Sequence, residues 1–207
     1  GFVGPLTGDV TGNVTGNISG GTVAGSTGTF TGDVDIADKI IHTGDTNTAI
    51  RFPAADTFTV ETAGSERFRV TSTGGLHLNN AELMERVNIT AGKLSDNQNI
   101  NLDNGMVHLF TTTETATSTP NIISNAGINT SMATGDALSV NIITTTAAAA
   151  YSERVKIDGL LTGITTSWNG GSAPSAGGSS GKDFYSYTII KTGDAAFTVL
   201  GNLSNFA

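Results

Sequence analysis

The residue types that most often carry chemistry are few in this chain and lie far apart. The three histidines, His42, His77 and His108, form no H-x-H pair, although threefold repetition of one histidine is a possible metal site. Serines and aspartates are present, but no nucleophile elbow presents a serine for attack. The glycine runs do not lead from a strand into a helix, as a phosphate loop would. We therefore expect a non-enzymatic protein without a cofactor.

Acidic residues cluster at Asp33, Asp35 and Asp38. They lack the spacing of a calcium-binding EF-hand loop, so a solvated acidic cluster is favoured over a calcium site. The chain has no cysteine, which excludes disulfides and zinc–thiolate sites. We predict that folding requires no metal.

Aromatic side chains beside a Gly/Ser-rich segment are the best candidates for binding. The segment 169–181 reads NGGSAPSAGGSSG and follows Trp168, the one tryptophan. Packing in the core or between chains is the favoured interpretation of Trp168, and a stacking platform for a glycan is the alternative. Loops on a rigid scaffold often carry recognition. The receptor-binding candidates are Trp168, Asn169, Tyr185 and Tyr187.

A four-residue repeat dominates the N-terminal segment Val3 to Asp35, which reads VGPLTGDVTGNVTGNISGGTVAGSTGTFTGDVD. A helix would rotate a four-residue repeat by ~40° each time and form no fixed face. A strand keeps all even positions on one face. That face alternates small residues, which allow close backbone approach, with larger ones. The close-approach glycines are Gly8, Gly12, Gly16, Gly20, Gly28 and Gly32. The predicted axis-packing residues are Leu6, Val10, Val14, Ile18, Phe30 and Val34.

One such strand has too thin an apolar stripe to stand alone. Three copies about one axis would place the aliphatic side chains inside, so the repeat predicts a homotrimeric stalk. A flexible Gly/Thr linker is the alternative. If extended at ~3.3 Å per residue, the segment would span at most ~110 Å.

Composition favours β-structure and argues against several partners. Gly, Thr, Ser and Asn are abundant, and only 14% of the residues are charged. The net charge of −8 argues against nucleic acid and anionic membranes as partners. No apolar run approaches the ~20 residues of a membrane span, so membrane insertion is not expected.

The rest of the chain divides into three further regions after the stalk, 1–36. Region 37–79 contains five short alternating segments separated by turn signals. Region 80–110 is predicted to be a connector, with a short helix within 80–94 and a hairpin at Asp103-Asn104-Gly105.

Region 111–207 is predicted to form an antiparallel β-sandwich-like domain, because about 95 residues with six strands suit that fold. In its strand 183–192, Phe184, Ser186 and Ile190 share one face, and Tyr185 and Tyr187 lie on the other. The predicted strands are 121–124, 137–146, 154–161, 164–168, 183–192 and 196–206. The overall prediction is an all-β, homotrimeric fibre with an N-terminal glycine-repeat stalk.

Several phrases of the sequence resemble tail-fibre-like and structural proteins of marine bacteriophages, notably cyanophages. They are the GDVTGNVTGN repeat, the segment HTGDTNTAIRFPAADTFTVETAGSERFRVTSTGG, and the tail from NGMVHLFTTTETATSTP through GGSAPSAGGSSG to YTIIKTGDAAFTVLGNLSNF. The resemblance implies a β-rich homotrimeric fibre on a virion, often facing the host. It supplies no catalytic motif.

The leading functional hypothesis is therefore a tail fibre that attaches to the host surface. Its expected partners are its own copies, other virion proteins and a glycan or protein of the host surface. Alternatives are a structural or decorating fibre of the capsid or tail, and a secreted bacterial adhesin-like filament. A polysaccharide depolymerase is disfavoured, because paired carboxylates are sparse.

Overall fold

The computed structural model describes residues 28–207, which form two compact units divided between Ala81 and Glu82. Most of the repeat lies outside the described residues, including the predicted axis residues Leu6, Val10, Val14 and Ile18 and the glycines Gly8, Gly12, Gly16 and Gly20. Residues 28–36 contain no strand. Phe30 and Val34 are 72% and 51% exposed, and Gly28 and Gly32 precede them in the same irregular stretch. The predicted strand is therefore not formed there in a single chain, which offers it no hydrogen-bonding partner.

The first unit is one antiparallel sheet of five strands in sequence order. Turn residues in the left-handed region reverse the chain at Asp56 and at Ala63-Gly64. The five strands predicted for region 37–79 are all present. Their bounds are β1 (Lys39–His42), β2 (Asp45–Ala54), β3 (Thr57–Thr62), β4 (Ser65–Val70) and β5 (Leu76–Leu78).

The second unit contains nine strands in two sheets. The strands are β6 (Val87–Thr90), β7 (Asn99–Asn101), β8 (Val107–Thr113), β9 (Asn121–Ile123), β10 (Ala137–Thr145), β11 (Lys156–Ile157), β12 (Ile164–Trp168), β13 (Lys182–Gly193) and β14 (Ala196–Phe206). The six-stranded sheet has the order β12-β14-β13-β10-β8-β6, and the three-stranded sheet has the order β11-β9-β7. The one α-helix among the described residues, α1 (Ile128–Ser131), is a single turn. The protein is therefore mostly β, as predicted.

The chain of the second unit alternates between its two sheets from β6 to β11. Strands β6, β8 and β10 are parallel neighbours in the large sheet, and β7, β9 and β11 are parallel neighbours in the small one. Buried Ile100, Ile122 and Ile157 stack in register along the small sheet. Beside them, the Asn121 side-chain amide donates to Asn99 Oδ1 at 2.9 Å. We call this arrangement the parallel coil.

The antiparallel sandwich predicted for region 111–207 is thus wrong in its strand directions. Antiparallel pairing is confined in the large sheet to β10 with β13 and β13 with β14. The strands of region 80–110, predicted as a connector, pair inside the second unit.

Two local predictions for region 80–110 are also corrected. No helix forms within 80–94; the chain is irregular up to β6, and a 3-10 turn begins at Leu94. The Asp103-Asn104-Gly105 turn joins strands of different sheets, so it forms no hairpin. Gly105 has a φ of 122°, and a Cβ there would lie 2.3 Å from the Arg86 carbonyl oxygen. Glycine is therefore required by close packing rather than by a hairpin.

The core of the second unit lies against the inner face of the six-stranded sheet. Along β13, alternate residues including Tyr185, Tyr187 and Ile189 are buried, while Phe184 and Ser186 lie on the outer face. The predicted division of this strand into two faces is confirmed. The core also includes Phe110, Val140, Ile142, Val155, Phe197 and Val199.

Candidate functional site

Trp168 ends β12 and packs over a gap that a glycine leaves in the neighbouring strand. A Cβ at Gly201 would lie 3.0 Å from the Trp168 ring, so glycine lets the indole approach β14 closely. The ring meets Tyr187 edge-on at a centroid distance of 5.8 Å. Its Nε1 donates to the Glu153 carbonyl oxygen at 2.8 Å. The indole is thereby fixed in orientation and is partly buried against the core, as the favoured packing interpretation predicted.

Two adjoining grooves lie beside Trp168, and together we call them the Trp168 groove. Their volumes are about 380 and 330 Å³, and both are lined by Trp168, Asn169 and Asn202. Asn169 is exposed, and its amide donates to Asn202 Oδ1 at 3.1 Å. The groove thus combines an aromatic residue with amide and hydroxyl groups. The other polar lining residues are Ser167, Ser172, Ser175, Ser186, Thr188 and Asn205.

The structure does not bring Tyr185 and Tyr187 to this surface. They are 2% and 0% exposed, and their rings stack at 6.3 Å inside the core. The Tyr185 hydroxyl accepts a hydrogen bond from the Ser152 amide at 3.2 Å, and burial raises the pKa of both phenols. The prediction that these two tyrosines face a receptor is therefore wrong, because β13 turns them inward.

The Gly/Ser segment is a loop as predicted, but its glycines approach the protein's own chain. The Gly178 amide donates to both carboxylate oxygens of Asp183, at 2.9 and 3.1 Å. A Cβ at Gly177 would lie 2.4 Å from the Ala150 carbonyl oxygen. Asp183 is 1% exposed and also accepts from the Asn205 side chain at 2.6 Å. Gly177 and Gly178 are thereby pinned, while the loop residues on either side of them, 169–176 and 179–181, are mostly exposed.

The histidines and the acidic cluster do not converge on one another. His108 is buried, and its Nε2 lies 3.1 Å from the Gly105 carbonyl oxygen. Because a carbonyl oxygen only accepts, Nε2 is the donor, and Nδ1 accepts from the Asn88 amide at 3.2 Å. Burial lowers the pKa of His108. His42 and His77 are exposed. Asp38 pairs with Arg51 at 2.8 Å. Within residues 28–207, no three His, Asp or Glu side chains are grouped as metal ligands would be.

Three charged residues that the sequence did not single out hold backbone in place. Glu114 is 5% exposed and accepts from the amides of Leu94 and Ser95 at 2.7 and 2.9 Å. Asp158 caps the first turn of α1. Lys191 is buried and donates to the Met132 carbonyl oxygen at 2.9 Å at the other end of α1. Their task is structural, since each faces backbone groups that would otherwise be unpaired.

Comparison of the chain with protein-family models, with curated protein sequences and with solved structures finds no match. In the part of the chain that the structure describes, no helix has the length and apolar character needed to cross a bilayer.

Proposed function

We propose that this chain is a non-enzymatic fibre protein of a virion, a tail fibre whose C-terminal unit attaches to saccharides of the host surface. The observation that carries the proposal is the Trp168 groove. A partly buried indole, fixed by its bond to Glu153, lines this groove beside the amides of Asn169 and Asn202. Sugars present apolar faces to aromatic rings and hydroxyls to amides, so this lining suits a glycan.

The site is placed on rigid elements, which is what weak saccharide binding requires. Asn202 lies in β14, the strand paired with β13 along most of its length. The Gly178–Asp183 contact fixes the loop on the far side of the groove. Little conformational entropy is then lost when a ligand binds. In a homotrimer, three such grooves would act together, and avidity would strengthen the attachment.

The resemblance to marine phage fibres supports the same function and indicates which host cells to use in a binding assay. We expect the full chain to bind marine cyanobacterial cells and to bind their purified surface polysaccharide. Asn169→Ala and Asn202→Ala each remove an amide from the groove, and each should weaken binding by about tenfold, the equivalent of one hydrogen bond. Asn104→Ala is the matched control, because Asn104 is an exposed asparagine that does not line the groove.

The outcomes separate attachment from a purely structural role. Equal binding by the wild type and both groove variants would remove the groove from the attachment function. No binding by the wild type to cells or polysaccharide would leave a decorating fibre of the capsid or tail, whose contacts are with virion proteins.

A further inference from the structure

Apolar side chains form two rows across one face of the sheet of the first unit. In register across the five strands lie Ile40, Ile50, Val60, Phe68 and Leu78. A second row on the same face continues the pattern, and its aromatic rings touch those of the first. The full set, which we call the apolar face, is Ile40, Ile50, Phe52, Phe58, Val60, Phe68, Val70, Leu76 and Leu78.

Aromatic contacts confirm that these rows share one side of the sheet. The Phe58 ring lies 6.0 Å from Phe52 and 6.4 Å from Phe68. Five members of the set, two of them on β5, are between 41% and 70% exposed.

The opposite face is charged, and two of its arginines, Arg51 and Arg69, are paired with carboxylates. Arg51 lies 2.8 Å from Asp38 and 3.5 Å from Glu61. Arg69 Nε donates to Glu66 Oε1 at 2.8 Å, and this bond lowers the pKa of Glu66. Charged side chains on such a face are well solvated. The apolar face is not, and no other element within residues 28–81 covers it.

A single sheet cannot bury an apolar face by itself. In residues 28–81 just two side chains are fully buried, Ala49 and Thr59. Stable domains are built from at least two packed layers, so the apolar face needs a second layer.

We propose that the second layer is the same face of other copies of this chain, packed about a common axis. No member of the apolar face is charged. Depletion of charge and a high apolar content are typical of permanent interfaces between identical subunits. The inference rests on the proposed fibre, and it assigns the self-association surface to the sheet of the first unit.

The face by itself is smaller than a stable interface between two copies. Five strands at ~4.8 Å spacing and roughly 17 Å in length give a footprint on the order of 400 Å². A stable interface needs about 800 Å² per partner. The sheet alone is thus too small for a tight pair, but it adds to the N-terminal repeat, which the sequence predicts to associate about a threefold axis.

Adjacent residues of β1 offer a matched test. Ile40 and Ile41 are 52% and 43% exposed, and they point to opposite faces of the sheet. Ile40→Glu places a charge on the apolar face, and Ile41→Glu places the same charge on the other. The mass of each full chain is measured by sedimentation at micromolar concentration, with circular dichroism as the check on folding. We expect the wild type and Ile41→Glu to be oligomers, and Ile40→Glu to shift toward the 21.1 kDa single chain.

A second measurement covers the case in which a buried charge unfolds the sheet. The chain has no cysteine, so Ile40→Cys and Ile41→Cys each introduce a single thiol. A short bismaleimide should link two copies through Cys at 40 and not at 41.

The outcomes are distinct from those of the attachment assay. A wild type that is a folded monomer would overturn the proposal, whether a different protein or residues 1–27 of the same chain cover the face. An oligomeric wild type whose mass and cross-linking respond alike at positions 40 and 41 would also overturn it, while leaving a fibre assembled through the repeat. Loss of saccharide binding with unchanged self-association would refute only the attachment function.

Discussion

Two stacked tyrosines in the core should respond in opposite directions to the same substitution. Tyr187 is fully buried, and its hydroxyl has no hydrogen-bond partner among residues 28–207. Tyr185, one pleat away on β13, accepts a bond from the Ser152 amide at 3.2 Å. Changing each to phenylalanine removes one oxygen and keeps the ring, so the comparison isolates the hydroxyl.

The magnitude follows from the cost of an unpaired buried polar group. Such a group costs ~1–3 kcal/mol relative to its solvated state. Tyr187→Phe removes that cost and retains the ring contacts with Trp168 and Tyr185, at 5.8 and 6.3 Å. We expect the free energy of unfolding to rise by about 1 kcal/mol, which for a chain of this size raises the melting temperature by about 2–4 °C.

Tyr185→Phe should do the reverse. It leaves the amide of Ser152, a residue 1% exposed, without its acceptor, and we expect a loss of about 1–2 kcal/mol. Both variants are measured by chemical denaturation of the full chain, followed through the single tryptophan, Trp168, which contacts Tyr187 directly. A Tyr187→Phe variant that is destabilised as much as Tyr185→Phe would refute the reasoning.

Further predictions concern pH, packing, metal and catalysis. Because burial lowers the pKa of His108 below its ordinary value of 6.5, the unfolded chain gains a proton first as pH falls. The free energy of unfolding should therefore have its full value above about pH 6.5 and decrease on acidification. His108→Gln should weaken this pH dependence, and His77→Gln, at an exposed position, should retain it. Gly177→Ala should destabilise the protein by ~1–3 kcal/mol, because its Cβ would lie 2.4 Å from the Ala150 carbonyl oxygen; an unchanged midpoint in urea would contradict this. Chelator treatment should leave the melting temperature unchanged, and a large drop would reveal a structural ion. Purified protein should release no reducing ends from host polysaccharide; release abolished by a single Asp or Glu substitution would establish an enzyme.

Local alternation was enough to find most of the strands. The period-two pattern of Phe58 with Val60 and of Phe68 with Val70 predicted the strands of the first unit. The segment predicted at 196–206 coincides with β14. These elements could be predicted because each is bounded by turn residues and carries its own face pattern.

The relative direction of neighbouring strands, and which face of a strand is buried, could not be predicted in the same way. Alternation has the same form in a parallel and an antiparallel strand, so the parallel coil left no signal in β8 or β10. In β13, Phe184 and Ile190 make one face apolar, and Tyr185 and Tyr187 make the other apolar. The choice between them is set by the residues that pack against the sheet. The two tyrosines were assigned to the surface because they follow the Gly/Ser segment in the sequence.

Contacts between distant residues were also beyond the sequence pattern. The bond between Gly178 and Asp183 turns a stretch that reads as a flexible linker into an anchored loop. The burial of Trp168 against Gly201 depends on a glycine in a different strand. Trp168 and Asn169 were singled out because they lie next to a Gly/Ser loop, and the structure places both at one groove.

The parallel coil and the hairpin after it imply an order of events during synthesis on the ribosome. The β13–β14 hairpin closes within a few residues, at Gly193 and Ala196, and it forms without long-range search. Each strand of the parallel coil in the large sheet instead needs a neighbouring strand that has already formed, and β10 pairs with β13. We expect the hairpin to nucleate the folding of the second unit, and the strands of the parallel coil to add to it in the order β10, β8, β6. A nascent chain would then stay unstructured in this unit until residue 206 has left the exit tunnel. Since the N-terminal repeat emerges long before that, the proposed association of copies through the repeat would precede the folding of their C-terminal units.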